Sequence, residues 1–529
     1  MKKDVVAYLA KEGVTKDDFI DRSSRPQRIE INHDDLVAEL YIKRKESTPQ
    51  WLELFSDIDI SDALRKQSTL RGLLLVESGD RLIALTFGHG RSLIKQHLIV
   101  RGFGLRVAMN LGNPKQLKSI DKSTLDKVSL NTRSQAAKNT GVEDFGFEFD
   151  HEILKSLTAI VDGDDEDLEI VSGKDSVSLY TDIRFDTIQE IVDRLIEAYK
   201  LEDFRRTYPW AEDIEPERDG LIVDALDELV VTKLNRGEID GLWMSPPEII
   251  DYMDFSGFVY RQRDPIVKYQ ELNLPSFISD AGFRGDLTVS SLKSKKVCIY
   301  NASESYKEHW SAFRCLNGEM DLDGARYILN DGQWYKIKQS FYEEVCDFFN
   351  GIKKSNLLFP DYQGRKEGPY LRSIANDVDL ALLDQKWVRP NGVTNNLEFC
   401  DLLSSCNGII HVKKYGASSV LNHLFAQAYQ SIEMLVNSPE VIERVNEHLA
   451  NTKLTLNFDP NISPRVQRIV LAIMDHRNGD LDIPFFAKVN LRQYVRKITA
   501  MGFAVELAKI NMGLPMTDLE LKAEEKALA

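Results

Sequence analysis

The chain has 529 residues, a length that at about 150 residues per domain predicts two to four domains. Hydrophobic residues make up 43% of it and charged residues 28%, values that exclude a disordered, collagen-like or coiled-coil protein. With 67 basic and 83 acidic residues its net charge is −16, the wrong sign for a protein that coats nucleic acid through bulk charge.

The cysteines and the N-terminus bear on the cellular setting. The five cysteines form no CxxC pair, so we expect neither a disulfide framework nor a structural zinc site. Asp4, Lys11 and Glu12 interrupt the apolar stretch that a signal peptide needs. No apolar run approaches the roughly 18 residues of a membrane helix. We therefore expect a cytoplasmic protein without a membrane partner.

Charge is distributed unevenly along the chain. The first 340 residues carry 46 basic and 60 acidic residues, whereas residues 341–529 carry 21 and 23. The last third is thus nearly neutral. A local basic groove there is compatible with the negative charge of the whole.

Element patterns in chain order predict an α/β and α+β multidomain protein with three parts. The first, residues 1–210, is an acidic α+β domain with a hairpin through Ser78-Gly79-Asp80 and a strand followed by an amphipathic helix at 178–200. The second, residues 211–340, is an α+β segment with a hairpin through Asn330-Asp331-Gly332. In the third, residues 341–529, strands and helices alternate, which is typical of α/β folds.

A glycine-rich segment, 87–91 (FGHGR), follows a predicted strand and precedes a helix predicted from Ser92. Such glycines let backbone N–H groups approach a phosphate. The segment lacks the third glycine of the dinucleotide fingerprint and the Gly-Lys-Ser/Thr of the P-loop. We favour an ordinary strand-to-helix turn and keep a nucleotide-binding switch as the weaker alternative.

The most informative stretch is residues 397–435. LEFCDLL is predicted to be a strand, SSCNG a tight turn and IIHVKKY the antiparallel partner, with a long amphipathic helix beginning near Ser418. Side chains alternate between the two faces of a strand. His411 and Lys413 therefore share a face that Asp401 can reach, whereas Glu398 is expected to point the opposite way.

An Asp at the end of one strand and an x-x-Lys pattern on its hairpin partner resemble the PD-(D/E)XK core of restriction-endonuclease-like nucleases. The resemblance implies a C-terminal restriction-endonuclease-like mixed sheet flanked by helices. It also implies that Asp401 and a second acidic residue hold a divalent metal, Mg²⁺ or Mn²⁺, while Lys413 positions or activates the attacking water. Such a metal stabilises charge on the phosphate and lowers the pKa of bound water.

One position departs from that pattern. The second acidic ligand is replaced by His411, whose imidazole favours softer ions than Mg²⁺, so either a preference for Mn²⁺ or a lost metal site is expected. On this interpretation His411→Asp retains activity and shifts the preference toward Mg²⁺. Glu367 resembles the glutamate of the preceding helix, Gln427 the glutamine of the following helix, and Asp384 is expected at the edge of the site.

Five segments near the two ends of the chain carry a second resemblance: LTFGHGR (85–91), FGLRVAMN (103–110), LEFCDLL (397–403), IIHVKKYGASSVLNHLFAQ (409–427) and PFFAKVNLR (484–492). They resemble an uncharacterised, sporadically distributed bacterial family linked to mobile elements and defence. This resemblance implies a role in bacterial defence or mobile-element conflict. It supplies no catalytic residues.

Two functions of different classes stay open. The first is a divalent-metal-dependent nuclease whose partners are nucleic acid, either DNA or RNA, and a protein trigger. The second is a non-catalytic sensor or scaffold that binds nucleic acid or protein through a degenerate nuclease-like core. Purely structural alternatives are that Lys413 and Lys414 form a solvated pair, that Asp401 caps a loop and that His423 packs at the edge of the core. A homodimer is compatible with either function, and metal-dependent cleavage separates the two.

Overall fold

The computed structural model describes most of the chain. It covers residues 3–33, 36–47, 67–125, 130–148, 152–161, 168–181, 183–239, 241–250, 255–260, 268–300, 306–362, 367–376, 379–388, 397–415, 418–458 and 467–512. The fold is mixed α/β, with 13 α-helices and several antiparallel sheets within these ranges. It divides into two compact units, residues 1–124 with 130–213 and residues 125–129 with 214–529.

The first unit is built on a ten-stranded antiparallel sheet with the strand order β2-β3-β4-β5-β1-β10-β9-β8-β6-β7. Its strands are β1 Lys3–Leu9, β2 Gln27–His33, β3 Leu36–Ser47, β4 Gln67–Ser78, β5 Arg81–Gly88, β6 Gly112–Thr124, β7 Asn131–Thr140, β8 Glu152–Val161, β9 Leu168–Gly173 and β10 Ser176–Thr181. Its helices are α1 Lys16–Phe19, α2 Phe103–Leu111, α3 Ile188–Lys200 and α4 Phe204–Thr207. The predicted β4–β5 hairpin and the predicted strand and helix at 178–200 are confirmed.

Glycines let helix α2 lie directly against the sheet. A Cβ on Gly104 would lie 1.8 Å from the carbonyl oxygen of Ser176, and one on Gly173 would lie 1.8 Å from the carbonyl oxygen of Gly104. Val107 and Ala108, one turn further along α2, are buried in the core beneath it. The FGLRVAMN motif therefore has a packing role, because no larger residue than glycine fits at 104.

The glycine-rich segment after β5 also packs against backbone. A Cβ on Gly90 would lie 1.9 Å from the carbonyl oxygen of Gly72, so the chain passes β4 too closely for any side chain at that position. The helix predicted from Ser92 is absent from this described stretch, and short 3₁₀ turns at Gly90–Leu93 and Gln96–Leu98 take its place. The close passage against β4 sets the path of the backbone here, and local helix propensity is overridden.

The second unit begins with a largely antiparallel part. A five-stranded sheet has the order β11-β18-β17-β16-β12, and a three-stranded sheet has the order β13-β14-β15. The strands are β11 Ile214–Pro216, β12 Leu242–Met244, β13 Gly257–Val259, β14 Lys296–Tyr300, β15 Tyr306–Ser311, β16 Leu316–Leu322, β17 Ala325–Asn330 and β18 Gln333–Ile337. The helices are α5 Gly220–Asn235, α6 Leu274–Asp280, α7 Val289–Ser294 and α8 Ala312–Cys315. The predicted β17–β18 hairpin is confirmed.

The second unit ends with a six-stranded mixed sheet of order β19-β26-β25-β24-β23-β20 and a two-strand ribbon of β21 and β22. The strands are β19 Lys353–Lys354, β20 Leu380–Leu382, β21 Trp387–Val388, β22 Leu397–Glu398, β23 Leu402–Ser404, β24 Gly408–Lys414, β25 Arg468–Asp475 and β26 Ala504–Asn511. The helices are α9 Gln339–Gly351, α10 Glu367–Ile374, α11 Ser418–Asn437, α12 Glu440–Leu449 and α13 Phe485–Ala500.

This sheet is buried on both faces. Along β25, Ile469, Leu471 and Ile473 pack into one core, while Val470 and Ala472 pack into another. The first core contains residues of α9, α11, α12 and α13, and the second contains residues of α10. An almost uninterrupted apolar strand such as RIVLAIMD results from burial on both sides. The predicted alternation of strands and helices in this region is confirmed.

A carboxylate joins the two parts of the second unit. Glu319, on β16, is partly buried and accepts hydrogen bonds from the backbone N–H groups of Phe485 (3.2 Å) and Phe486 (3.4 Å) at the start of α13. Unsatisfied N–H groups at a helix N-terminus favour a negative charge there. Residues 214–340 and 341–529 therefore share one compact unit, and the predicted three-part division stays a prediction.

Within the described ranges, no helix has the length and apolar character that crossing a bilayer requires. The longest, α11, has 20 residues. Its sequence includes polar positions such as Asn422, Gln427 and Glu433.

Candidate functional site

The segment predicted as one strand, LEFCDLL, is broken in the middle. Leu397–Glu398 pairs with β21, whereas Leu402–Ser404 pairs with β20 and β24. Between them, the Asp401 carbonyl accepts hydrogen bonds from the N–H groups of Leu383 (2.8 Å) and Asp384 (3.0 Å). Regular alternation therefore does not run through the segment.

A tight turn after β20 brings two further carboxylates to Asp401. Gln385 adopts a left-handed conformation with φ of 59°, and its backbone N–H donates a 2.5 Å hydrogen bond to Oε1 of Glu398. Non-glycine residues with positive φ are uncommon and often mark functional sites. The prediction that Glu398 points away from Asp401 is wrong, because the strand breaks between them.

Three carboxylates converge in this place. Ligand oxygens of Asp384, Glu398 and Asp401 all lie within 4.8 Å of one another, and we refer to these residues as the carboxylate group. Asp401 is only 8% exposed, and its Oδ2 accepts a 2.6 Å hydrogen bond from the backbone N–H of Val412 on β24. The prediction that Asp384 approaches the site is confirmed.

A lysine and a fourth carboxylate stand beside the group. Lys413, at the end of β24, has its Nζ 3.6 Å from Oε1 of Glu367, the first residue of α10. Both side chains are partly exposed, at 28% and 29%. The charge of Lys413 acts on Glu398, and that of Glu367 acts on both Glu398 and Asp401. The sequence placed Asp401, Lys413 and Glu367 on three separate elements. In the structure all three lie at or beside the carboxylate group.

The electrostatics of the carboxylate group favour a bound cation or a proton. Burial, and after it the charges of Glu398, Glu367 and Asp384, together raise the pKa of Asp401 to about 7, although the hydrogen bond from Val412 opposes the rise. Burial also raises the pKa of Glu398, although the Gln385 N–H and Lys413 oppose that rise. Buried like charges disfavour ionisation. A cation among them would reverse this effect.

His411 is placed differently from the sequence-based expectation. It is 2% exposed, and its Nε2 lies 3.2 Å from Oγ of Ser431 on α11, which also donates to the carbonyl oxygen of Phe399. Burial lowers the pKa of His411 to about 3, so the imidazole is neutral. The prediction of His411 as a metal ligand is therefore corrected: its ring joins β24 to α11, and the carboxylate group does not include it.

His411→Asp is consequently expected to destabilise the protein and not to restore a Mg²⁺ ligand. The substitution places a carboxylate in a site that is nearly inaccessible to water, which costs several kcal/mol unless a cation or proton neutralises it. Thermal melts measure the effect, and Ser431→Ala is the control because it removes the hydroxyl that contacts His411, Phe399 and Gln427 without adding a charge, at a cost of about 1–3 kcal/mol. A folded His411→Asp protein that melts like the wild type would contradict this placement.

The remaining candidate residues lie on β24 and α11. Gln427 is half-buried on α11, and its carbonyl accepts a 2.8 Å hydrogen bond from Ser431 Oγ one turn later. Lys414 Nζ lies 4.7 Å from the ring centroid of Tyr362, so it packs on an aromatic ring. His423 is exposed on α11. The assignment of Gln427 to catalysis stays a prediction.

The donor set fits a hard divalent cation. Carboxylate oxygens are the ligands that Mg²⁺, Mn²⁺ and Ca²⁺ prefer, whereas thiolates and imidazoles select softer ions. Asp384, Glu398 and Asp401 supply only oxygen. The preference for Mn²⁺ that was expected from a histidine ligand loses its basis, since His411 is bonded elsewhere.

Comparison with known proteins identifies a family. A search of the curated proteins found no match, and neither did a search of the solved structures. A family model described as "Family of unknown function (DUF6119)" matches residues 5–511, which is nearly the whole chain and includes both compact units. The protein therefore belongs to the DUF6119 family.

Proposed function

We propose that the protein is a divalent-metal-dependent nuclease whose active site is the carboxylate group with Lys413. The observation that carries the proposal is the convergence of three carboxylates within 4.8 Å, next to a lysine at the end of a sheet strand. An acidic cluster alone is common on proteins. Here Asp401 is almost completely buried, and the ammonium group of Lys413 acts on the neighbouring Glu398, two features that an exposed surface cluster lacks.

The arrangement of elements supports a restriction-endonuclease-like core. Helix α10 precedes β20, strands β20, β23 and β24 pair antiparallel, and α11 and α12 precede β25, which pairs parallel with β24. Asp401 begins the hairpin, Lys413 ends it, and Glu367 comes from the preceding helix. The resemblance likewise assigns an acidic residue to one strand of a hairpin, a lysine to its partner and a glutamate to the preceding helix.

Each residue has a distinct role in this proposal. Asp384, Glu398 and Asp401 would hold Mg²⁺ or Mn²⁺, which supplies charge stabilisation and a more acidic bound water. Val412 N–H and Gln385 N–H orient two of these carboxylates by hydrogen bonds. Lys413 brings a positive charge to the side where the phosphate has to approach, and Glu367 holds its ammonium group in place.

The net negative charge of the site makes a bound metal ion necessary for the binding of a phosphodiester substrate. Four carboxylates, including Glu367, stand against two positive groups, the ammonium of Lys413 and the guanidinium of Arg372, which lies with Asp384 Oδ2 against Gly368. A phosphodiester would be repelled without further positive charge. The scaffold hypothesis requires no metal at these residues. Whether the carboxylate group needs a metal ion therefore separates the two functions. A role in bacterial defence stays a prediction of the sequence resemblance.

A cleavage assay tests the proposal. End-labelled single- and double-stranded DNA and RNA are incubated with the purified full-length chain and Mg²⁺, Mn²⁺ or EDTA. We expect internal cleavage of at least one substrate with either metal and none with EDTA. A protein that binds these metals but cleaves none of the four substrates would instead support the scaffold function.

A further inference from the structure

An exposed tryptophan lies beside the carboxylate group. Trp387 on β21 pairs directly with Glu398 on β22, and directly opposed residues of an antiparallel pair point to the same face, with Cβ atoms about 5 Å apart. The carboxylate of Glu398 belongs to the carboxylate group. The Cβ atom of Trp387 therefore lies about one side-chain length from the proposed reaction centre.

The indole is exposed although its backbone is fixed. Trp387 is 55% exposed, whereas the next residue, Val388, is fully buried. The carbonyl oxygen of Trp387 lies 3.2 Å from Nε2 of His448 on α12, and Lys386 Nζ donates to the carbonyl oxygen of His448 at 3.2 Å. These contacts anchor the ribbon to α12. The ring thus projects from a supported position instead of a loose loop.

Charge repulsion and stacking together define what this ring can recognise. The neighbouring carboxylates do not explain why an apolar ring is exposed to water. Their negative charge also repels an acidic partner unless a cation lies between the two. A nucleobase carries no charge and stacks on aromatic side chains regardless of its identity. In a duplex, however, the faces of the bases are already stacked within the helix. Only an unpaired base can lie on the indole while its phosphate reaches the carboxylate group.

We propose that Trp387 stacks on an unpaired nucleobase next to the scissile phosphate, so that the preferred substrate is single-stranded nucleic acid. The preference for single strands in cleavage rests on the proposed nuclease function. The binding of a base by Trp387 does not depend on that function. DNA and RNA present the same stacking face. The experiment therefore tests DNA strands and RNA strands separately.

The test compares Trp387→Ala and Trp387→Phe with the wild type. The control is Leu358→Ala, which removes a 94%-exposed apolar side chain of the same compact unit. The kcat/KM for oligo-dA, oligo-dT and oligo-rA is measured with Mg²⁺ beside that for the corresponding duplexes. We expect Trp387→Ala to lower kcat/KM on single strands by about five- to a hundredfold. Trp387→Phe should retain most of it, and Leu358→Ala should match the wild type.

Binding is measured separately from cleavage. In Ca²⁺, the same fluorescently labelled single strands are titrated with each variant, and an abasic strand of equal length is the ligand control. We expect Trp387→Ala to weaken binding of the strands with bases and to leave binding of the abasic strand unchanged. If the wild type binds in this way but cleaves nothing, the nuclease proposal fails and the stacking site stands. Equal binding by wild type and Trp387→Ala, or an equal loss on single strands and duplexes, overturns the stacking inference.

Discussion

Asp401→Asn is expected to abolish metal-dependent cleavage and, at the same time, to stabilise the metal-free protein above neutral pH. Asparagine keeps the shape and can still accept the hydrogen bond from Val412, but it removes the buried negative charge. The first effect follows because a metal ligand is lost. The second follows because the charge of Asp401 is costly in the folded state when no cation is present.

The sign of the stability effect comes from the raised pKa. The ordinary pKa of an aspartate is 3.8, and that of Asp401 in the folded protein is about 7. The folded state therefore binds the proton more tightly, so stability falls as the pH rises from about 4 to 7 and the full cost applies above that range. The cost is on the order of 4 kcal/mol, which Asp401→Asn removes at pH 8 but not at pH 4.

Thermal melts at these two pH values, with and without Mn²⁺, measure the change in stability and the loss of metal binding, and the cleavage assay measures the loss of activity. The wild type is expected to gain stability from Mn²⁺ at pH 8, because a cation that binds only the folded state stabilises it. Asp401→Asn should melt higher than the wild type without metal and gain little from Mn²⁺. If the variant melts lower at pH 8 without metal, the carboxylate is stabilising and the electrostatic account is wrong.

Lys413→Ala is expected to lower kcat by about 10²- to 10³-fold, the usual cost of removing a group that stabilises charge in a transition state. Its ammonium group is a positive charge that acts on Glu398 of the carboxylate group. The salt bridge to Glu367 is partly exposed and contributes little to stability, so the fold should persist.

The neighbouring lysine is the matched control for this effect. Lys414 lies on the same strand, but its ammonium group packs on the ring of Tyr362. Steady-state rates on the best substrate, measured for Lys413→Ala and Lys414→Ala, compare the two positions. Lys414→Ala should keep a rate close to that of the wild type. Equal losses in both variants would mean that the two lysines act through general charge, and Lys413 would lose its assigned role.

Periodic sequence patterns predicted the framework of the site well. The strand RIVLAIMD is buried on both faces, and the hairpin that ends at Lys413 has the predicted partners. Asp401 and Lys413 were singled out by strand alternation together with the nuclease resemblance, and Glu367 by the resemblance alone. The framework itself depends on local periodicity, which a single sequence contains.

The two errors at the site have tertiary causes. Glu398 was excluded by an alternation rule that fails because the strand breaks before Asp401, and the break depends on hydrogen bonds from Leu383 and Asp384, distant in sequence. His411 was taken as a ligand because its spacing from Lys413 matches the nuclease pattern. Its actual partner, Ser431, lies 20 residues later on a helix, and no local pattern reveals that contact.

One feature of the sequence bore on the position of Glu398. Glu398 and Asp401 are separated by two residues, a spacing that no regular strand places on one face. Two acidic residues in an otherwise apolar segment require either exposure or compensation. A break in the strand between them lets the two side chains share one place, which a regular strand does not allow.

The central claim is that Asp384, Glu398 and Asp401 form a cation site, and direct Mn²⁺ binding tests it. Free Mn²⁺ is quantified by electron paramagnetic resonance while the metal is titrated into the full-length wild type, Glu398→Gln, Asp401→Asn and, as a control outside the carboxylate group, Glu367→Gln. We expect saturable binding by the wild type and by Glu367→Gln that is lost in Asp401→Asn and strongly weakened in Glu398→Gln. Binding that is absent from the wild type, or equal in all four proteins, would contradict the account.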